Sequence, residues 1–177
     1  MKLSSPVLDE AHAVKCELAV GVLLSSGTLR LQVTGWSMLP TVWPGDTLVI
    51  ECASRSAVSA GDIVLFGRDR RLFAHRVIEK SPFADVGLVT RGDAMPSADA
   101  PVSSGELLGK VSFILRNGTR IEPRRSLRLP QRAVAALVRS SEMAARVVVG
   151  AHSMHEALIH RIAGVKHARS REVSCQN

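Results

Sequence analysis

The fold class this sequence predicts is a mostly β core with one helix before it and a helical extension after it. Three observations carry the prediction. Residues 28–122 are a succession of short apolar or alternating runs cut by Gly, Pro and Asn turns. Residues 7–25 instead place Val7, Ala11, Val14, Leu18 and Val22 at helical spacing. After Pro130 the composition changes to Ala-rich and helical.

The elements follow in order. The N-terminal helix has a stop at Gly27. "TLRLQVTG" alternates, with Leu29, Leu31 and Val33 on one face, as a half-buried strand does. "PGDTLVIEC" is a Pro-Gly turn feeding a second strand. In "SAGDIVLFGRDRRLFAHRVIEK" a Gly-Asp turn leads into Ile63–Phe66, residues 67–70 reverse the chain, and Leu72–Glu79 returns it as a hairpin. "VGLVTRGD" and "LLGKVSFILRNGTRIEP" add further strands, the last two joined at Asn117-Gly118, a turn pair suited to a tight hairpin. "IEPRRSLRLP" is the candidate linker, and beyond it two helices are predicted to meet near Gly150. The expected division is a helix over 1–27, a core over 28–122 and a basic helical extension over 123–177.

Composition narrows the function. With 46% hydrophobic residues in 177, the chain can bury a core and is not disordered throughout. Aromatics are 3% and tyrosine is absent, which argues against a base-stacking platform; no sequence-specific nucleic-acid binding is expected. Residues 1–115 hold 11 Lys+Arg against 12 Asp+Glu, a net of −1; residues 116–177 hold 12 against 4, a net of +8. The basic tail is either a solvated helical face or a surface for anionic lipid or a protein partner. Cys16, Cys52 and Cys175 are odd in number and lack metal-ligand spacing, so a reducing compartment is expected, with no disulfide and no metal. The apolar run Leu18–Leu24 is too short to span a bilayer, and "AVAALVRSSEMAARVVVGAHSM" is broken by Arg139, Glu142 and Arg146. The expected location is cytoplasmic, free or peripheral at a membrane.

Four segments carry the chemistry: "GWSMLPTVWPGDTLVI", "GDIVLFGRDRRLFAHRVIEK", "TRGDAMPSAD" and "ELLGKV". In this order and spacing they resemble the serine peptidase superfamily of type I signal peptidases and LexA-type self-cleaving repressors, over about residues 29–115. The resemblance implies a β-ribbon peptidase core. It makes Ser37, in the "SM" pair, the nucleophile. It puts the general base at His75 in "HRV", where many members have lysine; a histidine there is similar to the endoplasmic-reticulum type of signal peptidase. In that branch an acidic residue follows within a "GD…D" segment, which offers Asp93 and Asp99 and favours Asp99 as the member that orients the base. The residues around Ser37, namely Gly35, Trp36, Met38 and Pro40, are the candidates for supporting the serine turn and bordering the substrate. No cofactor is implied.

Physical chemistry agrees with that assignment of roles. A hydroxyl is a poor nucleophile until a neighbour takes its proton. Lysine does this near neutral pH only after a large downward pKa shift in a dry pocket, whereas imidazole needs little shift. Imidazole does need its tautomer and ring plane fixed, which a carboxylate achieves. Two departures from the family pattern stand out. Position 35 is glycine, where many bacterial signal peptidases have a serine whose hydroxyl serves the oxyanion hole; glycine there resembles the "GxSM" of the repressor branch. No N-terminal span is expected either, so routine removal of signal peptides is not implied. The expected activity is a serine endopeptidase acting on a peptide or protein substrate. The alternatives are a non-catalytic binding module on the same fold and a self-cleaving switch, although neither Ala-Gly nor Cys-Gly occurs before Ser37. His12, His152, His155, His160 and His167 have no comparable context; His152, His155 and His160 recur at helical spacings and read as surface residues of a basic helix rather than metal ligands.

Overall fold

The structure is a computed structural model that describes residues 6–81, 87–140, 147, 149 and 150. Helix α1 (Pro6–Ser26) precedes seven strands, and helix α2 (Leu129–Ser140) follows them. The strands are β1 (Thr28–Gln32), β2 (Thr47–Cys52), β3 (Ile63–Arg68), β4 (Arg71–Lys80), β5 (Leu88–Arg91), β6 (Leu107–Arg116) and β7 (Thr119–Ile121). The mostly β architecture flanked by helices is the one predicted. The two helices expected to meet near Gly150 lie largely outside the described residues.

All pairings are antiparallel, in the order β1-β2-β6-β3-β4-β5. β6 is long enough to pair β2 along one edge and to share the other between β3 and β7. Register shifts at Val49/Ile50, Leu65/Phe66 and Val77/Glu79 interrupt three of these ladders. Such bulges bend and twist a strand, which lets a sheet of this length curl around its own core.

Two hairpins show how local chemistry sets register. Asn117 (φ 50°) and Gly118 (φ 77°) make the two-residue turn between β6 and β7, as their sequence suggests. The β3–β4 turn differs from the expectation of residues 67–70. Gly67 and Arg68 remain in the ladder, opposite Leu72 and Arg71, and only Asp69 (φ 49°) and Arg70 (φ 58°) turn. A two-residue hairpin needs left-handed backbone at both positions. The chain accepts that conformation in two non-glycine residues because the strands on either side are fully paired.

Three apolar clusters hold the molecule together. Ala19 and Leu23 of α1 join Leu29, Leu48, Ile50, Ile63, Leu65, Val111 and Ile114 on one face of the sheet, with Met38 and Val42 closing the end. Val58, Val64, Phe66, Val77, Leu88 and Val102 fill the other face. The third cluster joins Leu39 and Ala94 to Val138 of α2, with Trp36, Trp43 and Val134 packed against it. The start of the basic extension is therefore docked on the core, behind the turn that holds Ser37. Among the described residues no helix is long and apolar enough to cross a membrane.

Candidate active site

β4 supplies the central group. His75 lies opposite Val64 on β3 and is 5% exposed. Its ring is boxed by Phe66, edge-on at 6.0 Å, and by Phe73, also at 6.0 Å. Two aromatic walls leave the imidazole little freedom to rotate.

Ser37 sits at the start of a tight turn after β1. The turn closes through Leu39 N–H to Trp36 O (3.1 Å), Thr41 N–H to Met38 O (2.9 Å) and Val42 N–H to Met38 O (3.0 Å). None of these bonds uses the N–H of Ser37. The Ser37 carbonyl accepts from Ala94 N–H at 2.9 Å, tying the turn to the loop after β5. Gly92 lies in the gap between them. A Cβ at this position would fall 2.6 Å from the Ser37 carbonyl oxygen and 3.2 Å from His75 Nε2. Only glycine lets the two segments approach this closely.

Asp99 arrives from the same loop. Its backbone N–H donates to Thr90 O at 2.8 Å, and its Oδ2 accepts from Thr90 Oγ1–H at 2.7 Å. Arg68 clamps the next two residues by donating to Ala100 O (3.0 Å) and Pro101 O (2.9 Å), and it pairs with Glu106 at 2.6 Å. The Arg68 hydrogen bond, helped by Ser103, holds the Glu106 carboxyl down at about 2. The clamp thus stays charged at any physiological pH.

These segments converge. His75 Nδ1 lies 2.7 Å from Asp99 Oδ2, and His75 Nε2 lies 3.0 Å from Ser37 Oγ. An ionised carboxylate only accepts, so with neutral imidazole Nδ1 carries the proton and donates to Asp99. Nε2 then has its lone pair free for the Ser37 hydroxyl, which donates to it. A groove of about 680 Å³ opens in front of this pair, between α1, β1 and the first half of β4. Leu18 and Val22 line one wall, Leu31, Val33 and Gly35 the second, and Arg71 to His75 the third.

The residues picked from the sequence divide between two places. Ser37, His75 and Asp99 are brought together. Gly35 and Met38 border the groove, although Met38 is only 3% exposed and is also part of the core. Trp36 and Pro40, candidates for supporting the turn or bordering the substrate, do the former: Trp36 packs on the Leu39–Ala94–Val138 cluster, and buried Pro40 gives its carbonyl to Trp43 Nε1–H at 2.9 Å. The turn reverses the chain, so Trp36 and Pro40 lie off the groove that Gly35 and Met38 border. Asp93, the other carboxylate in the catalytic set, also points away from His75. Both of its oxygens take the guanidinium of Arg76, at 2.8 Å each, and Thr41 Oγ1–H donates to Oδ2. Arg76 spends its remaining donors on Gly61 O, Arg124 O and Thr41 Oγ1, so all five of its N–H groups are used.

Thr90, Gly92 and the Arg68–Glu106 clamp were not singled out from the sequence. Thr90 and Gly92 stand inside the quoted "TRGDAMPSAD", so the signal was adjacent to the residues chosen. Arg68 and Glu106 lie 38 residues apart and carry no motif that links them.

A serine, an imidazole and a carboxylate in hydrogen-bonded series, beside a groove on a curled β sheet, form the constellation of serine-dependent acyl transfer. Residues 6–112 match the family model described as Peptidase S24-like, and the chain belongs to that family. Family membership suggests serine peptidase or self-cleaving activity at that level. No curated protein was found to match the chain.

Proposed function

We propose that this protein is a serine endopeptidase in which Ser37 is the nucleophile, His75 the general base and Asp99 the group that orients it. The observation that carries the reading is the pair of contacts at His75, 3.0 Å to Ser37 Oγ and 2.7 Å to Asp99 Oδ2. The Ser37 proton passes to Nε2 as Oγ attacks the scissile carbonyl. The resulting imidazolium is stabilised by Asp99 and then protonates the leaving amine. Water, activated by the same imidazole, hydrolyses the acyl-enzyme. The free N–H of Ser37 is one donor for the oxyanion. The use of histidine as base supports placement beside the Ser-His signal peptidases within the wider superfamily.

The substrate segment runs extended along the groove. Among the described residues β1 pairs β2 on one edge only, and β5 meets β4 only from Arg76 onward, so residues 28–32 and 72–75 each offer a backbone edge with no strand against it. An extended peptide adds to such edges through main-chain hydrogen bonds.

The test is labelling of the purified protein with a fluorophosphonate, alongside cleavage of a peptide library in trans. Labelling of the parent but not of Ser37→Ala, with cleavage lost in His75→Ala, supports the reading. Equal labelling of parent and Ser37→Ala overturns it. Labelling of Ser37 with no cleavage in trans would instead favour the self-cleaving reading.

A further inference from the structure

A second cleft of about 460 Å³ lies behind the active site, between α2 and the ends of β4 and β5. Its lining includes Arg76, Arg91, Arg125, Arg132 and Arg139 against a single carboxylate, Asp93. That carboxylate is fully engaged by Arg76 and Thr41. Arg125 approaches Asp62 at 3.3 Å, outside the cleft lining. Arg139 donates one N–H to the Asp93 carbonyl at 3.1 Å, which leaves its charge unbalanced. Arg91 and Arg132 have no acidic partner among the described residues. Three guanidinium groups thus share a cleft in which no free carboxylate among the described residues neutralises them.

We propose that this cleft binds an oxyanion of the phosphate-ester or phosphoanhydride class carrying at least two negative charges, on Arg91, Arg132 and Arg139. Three features select the ligand. Every cation is arginine, whose planar fork matches phosphate oxygens two at a time. Ser126 adds a hydroxyl at the rim, and Val77, Leu127 and Ala135 form an apolar wall that lowers local screening. The volume lies within the range of small-ligand clefts rather than of macromolecular grooves. The site is separate from the groove before Ser37, and Arg125, Arg132 and Arg139 all lie beyond residue 112, where the family match ends. The ligand is either a soluble phosphate compound or a phospholipid headgroup; the chemistry of recognition is the same for both.

Calorimetric titration of the full-length protein with inorganic pyrophosphate, at constant ionic strength, tests the site. The expected result is saturable one-to-one binding that is weakened roughly tenfold or more in Arg91→Gln/Arg132→Gln, the loss expected for charge-assisted hydrogen bonds. Arg132→Glu, on an exposed turn of α2, should show the same loss without touching the sheet. Arg30→Glu makes the same two-unit change of charge on β1, outside the cleft, and should bind like the parent, as should Ser37→Ala. Retention in Ser37→Ala keeps this result independent of any catalytic assignment. Phosphatidylcholine vesicles with and without phosphatidic acid separate the sources: vesicle binding competed away by pyrophosphate assigns a headgroup, and pyrophosphate binding without vesicle binding assigns a soluble ligand. Absence of saturable pyrophosphate binding, or equal weakening in Arg30→Glu and Arg132→Glu, overturns the proposal.

Discussion

His75 and Arg76 are neighbours on β4, and each has a carboxylate from the loop after β5, yet the two pairs differ in kind. Successive side chains of a strand point to opposite faces. His75 looks into the groove, where Asp99 reaches it with a side chain 23% exposed. Arg76 looks to the back, where its side chain and that of Asp93 are 9% and 4% exposed. The front pair is one link in a chain ending at a hydroxyl. The back pair is closed, each polar atom finding a partner in Thr41, Gly61 or Arg124. One strand thus carries a pair open to a reacting partner and, one residue on, a pair that fixes the surrounding backbone.

The largest effect that would sharpen this contrast is in activity. Ser37→Ala and His75→Ala should each lower kcat by about 10⁴-fold or more; Ser37→Ala should melt like the parent because it removes one hydroxyl, whereas His75→Ala also empties the box between Phe66 and Phe73 and should melt lower. Steady-state cleavage together with circular-dichroism melts checks this. Acidification should act in the same direction, because imidazolium cannot accept the Ser37 proton; a rate that stays level in acid down to the point of unfolding would remove His75 as base.

Next come the two carboxylates. Asp99→Asn should cost about 10²–10⁴-fold in kcat with little change in stability, because the amide favours the wrong tautomer. Arg76→Ala should do the reverse. It strands the Asp93 charge in the interior and should destabilise the fold by about 3–5 kcal/mol, read from urea unfolding. If Asp93→Asn lowered activity more than Asp99→Asn at equal stability, the division between front and back pairs would collapse.

Gly92→Ala should couple the two readouts. Its Cβ has to displace the Ser37 carbonyl, so both activity and stability should fall, the latter by about 1–3 kcal/mol. A variant as active as the parent would show that the turn and loop tolerate separation.

The smallest effect belongs to the clamp. Glu106 titrates at about 2 in the folded protein, well below the ordinary carboxylate value of 4.5. Its contribution is therefore present above the unfolded value and is lost as pH falls from there towards 2. The pair is partly exposed, at 23% and 27%, so solvent screening limits that contribution to about 1 kcal/mol or less. Glu106→Gln should narrow the stability gap from the parent over that acid range, as measured by unfolding at several pH values.

How much of this was legible in the sequence depended on the range of the interaction. The strands, the Asn117-Gly118 hairpin and the two flanking helices follow from local periodicity and turn chemistry. The β3–β4 turn was placed too early because Gly67 looks like a breaker, whereas the pairing of Arg68 with Arg71 overrides it. Asp99 could be favoured over Asp93 only through family resemblance, since both follow strand β5 in a loop with similar turn residues. The Arg76–Asp93 pair was hidden because it needs β4, the Thr41 turn and the 124–125 segment to meet at one point. Whether Trp36 and Pro40 support the turn or border the groove was hidden for a related reason: adjacency to Ser37 says nothing about which way a reversing turn points each side chain. That a helix follows residue 129 was readable; what Val134 and Val138 cover was not.

That last contact carries a consequence for the order of synthesis. Leu39 leaves the ribosome roughly a hundred residues before Val138, the helical residue that joins it in one buried cluster. At elongation rates of about 5–20 residues per second, the apolar back of the Ser37 turn stays uncovered for roughly 5–20 seconds. In the later part of that interval, once Asp99 has been added, the nascent chain contains Ser37, His75 and Asp99 but lacks the helix that packs on Leu39 and Ala94. The serine of the turn is made early and seated late, so the site cannot be fully assembled until α2 has been translated.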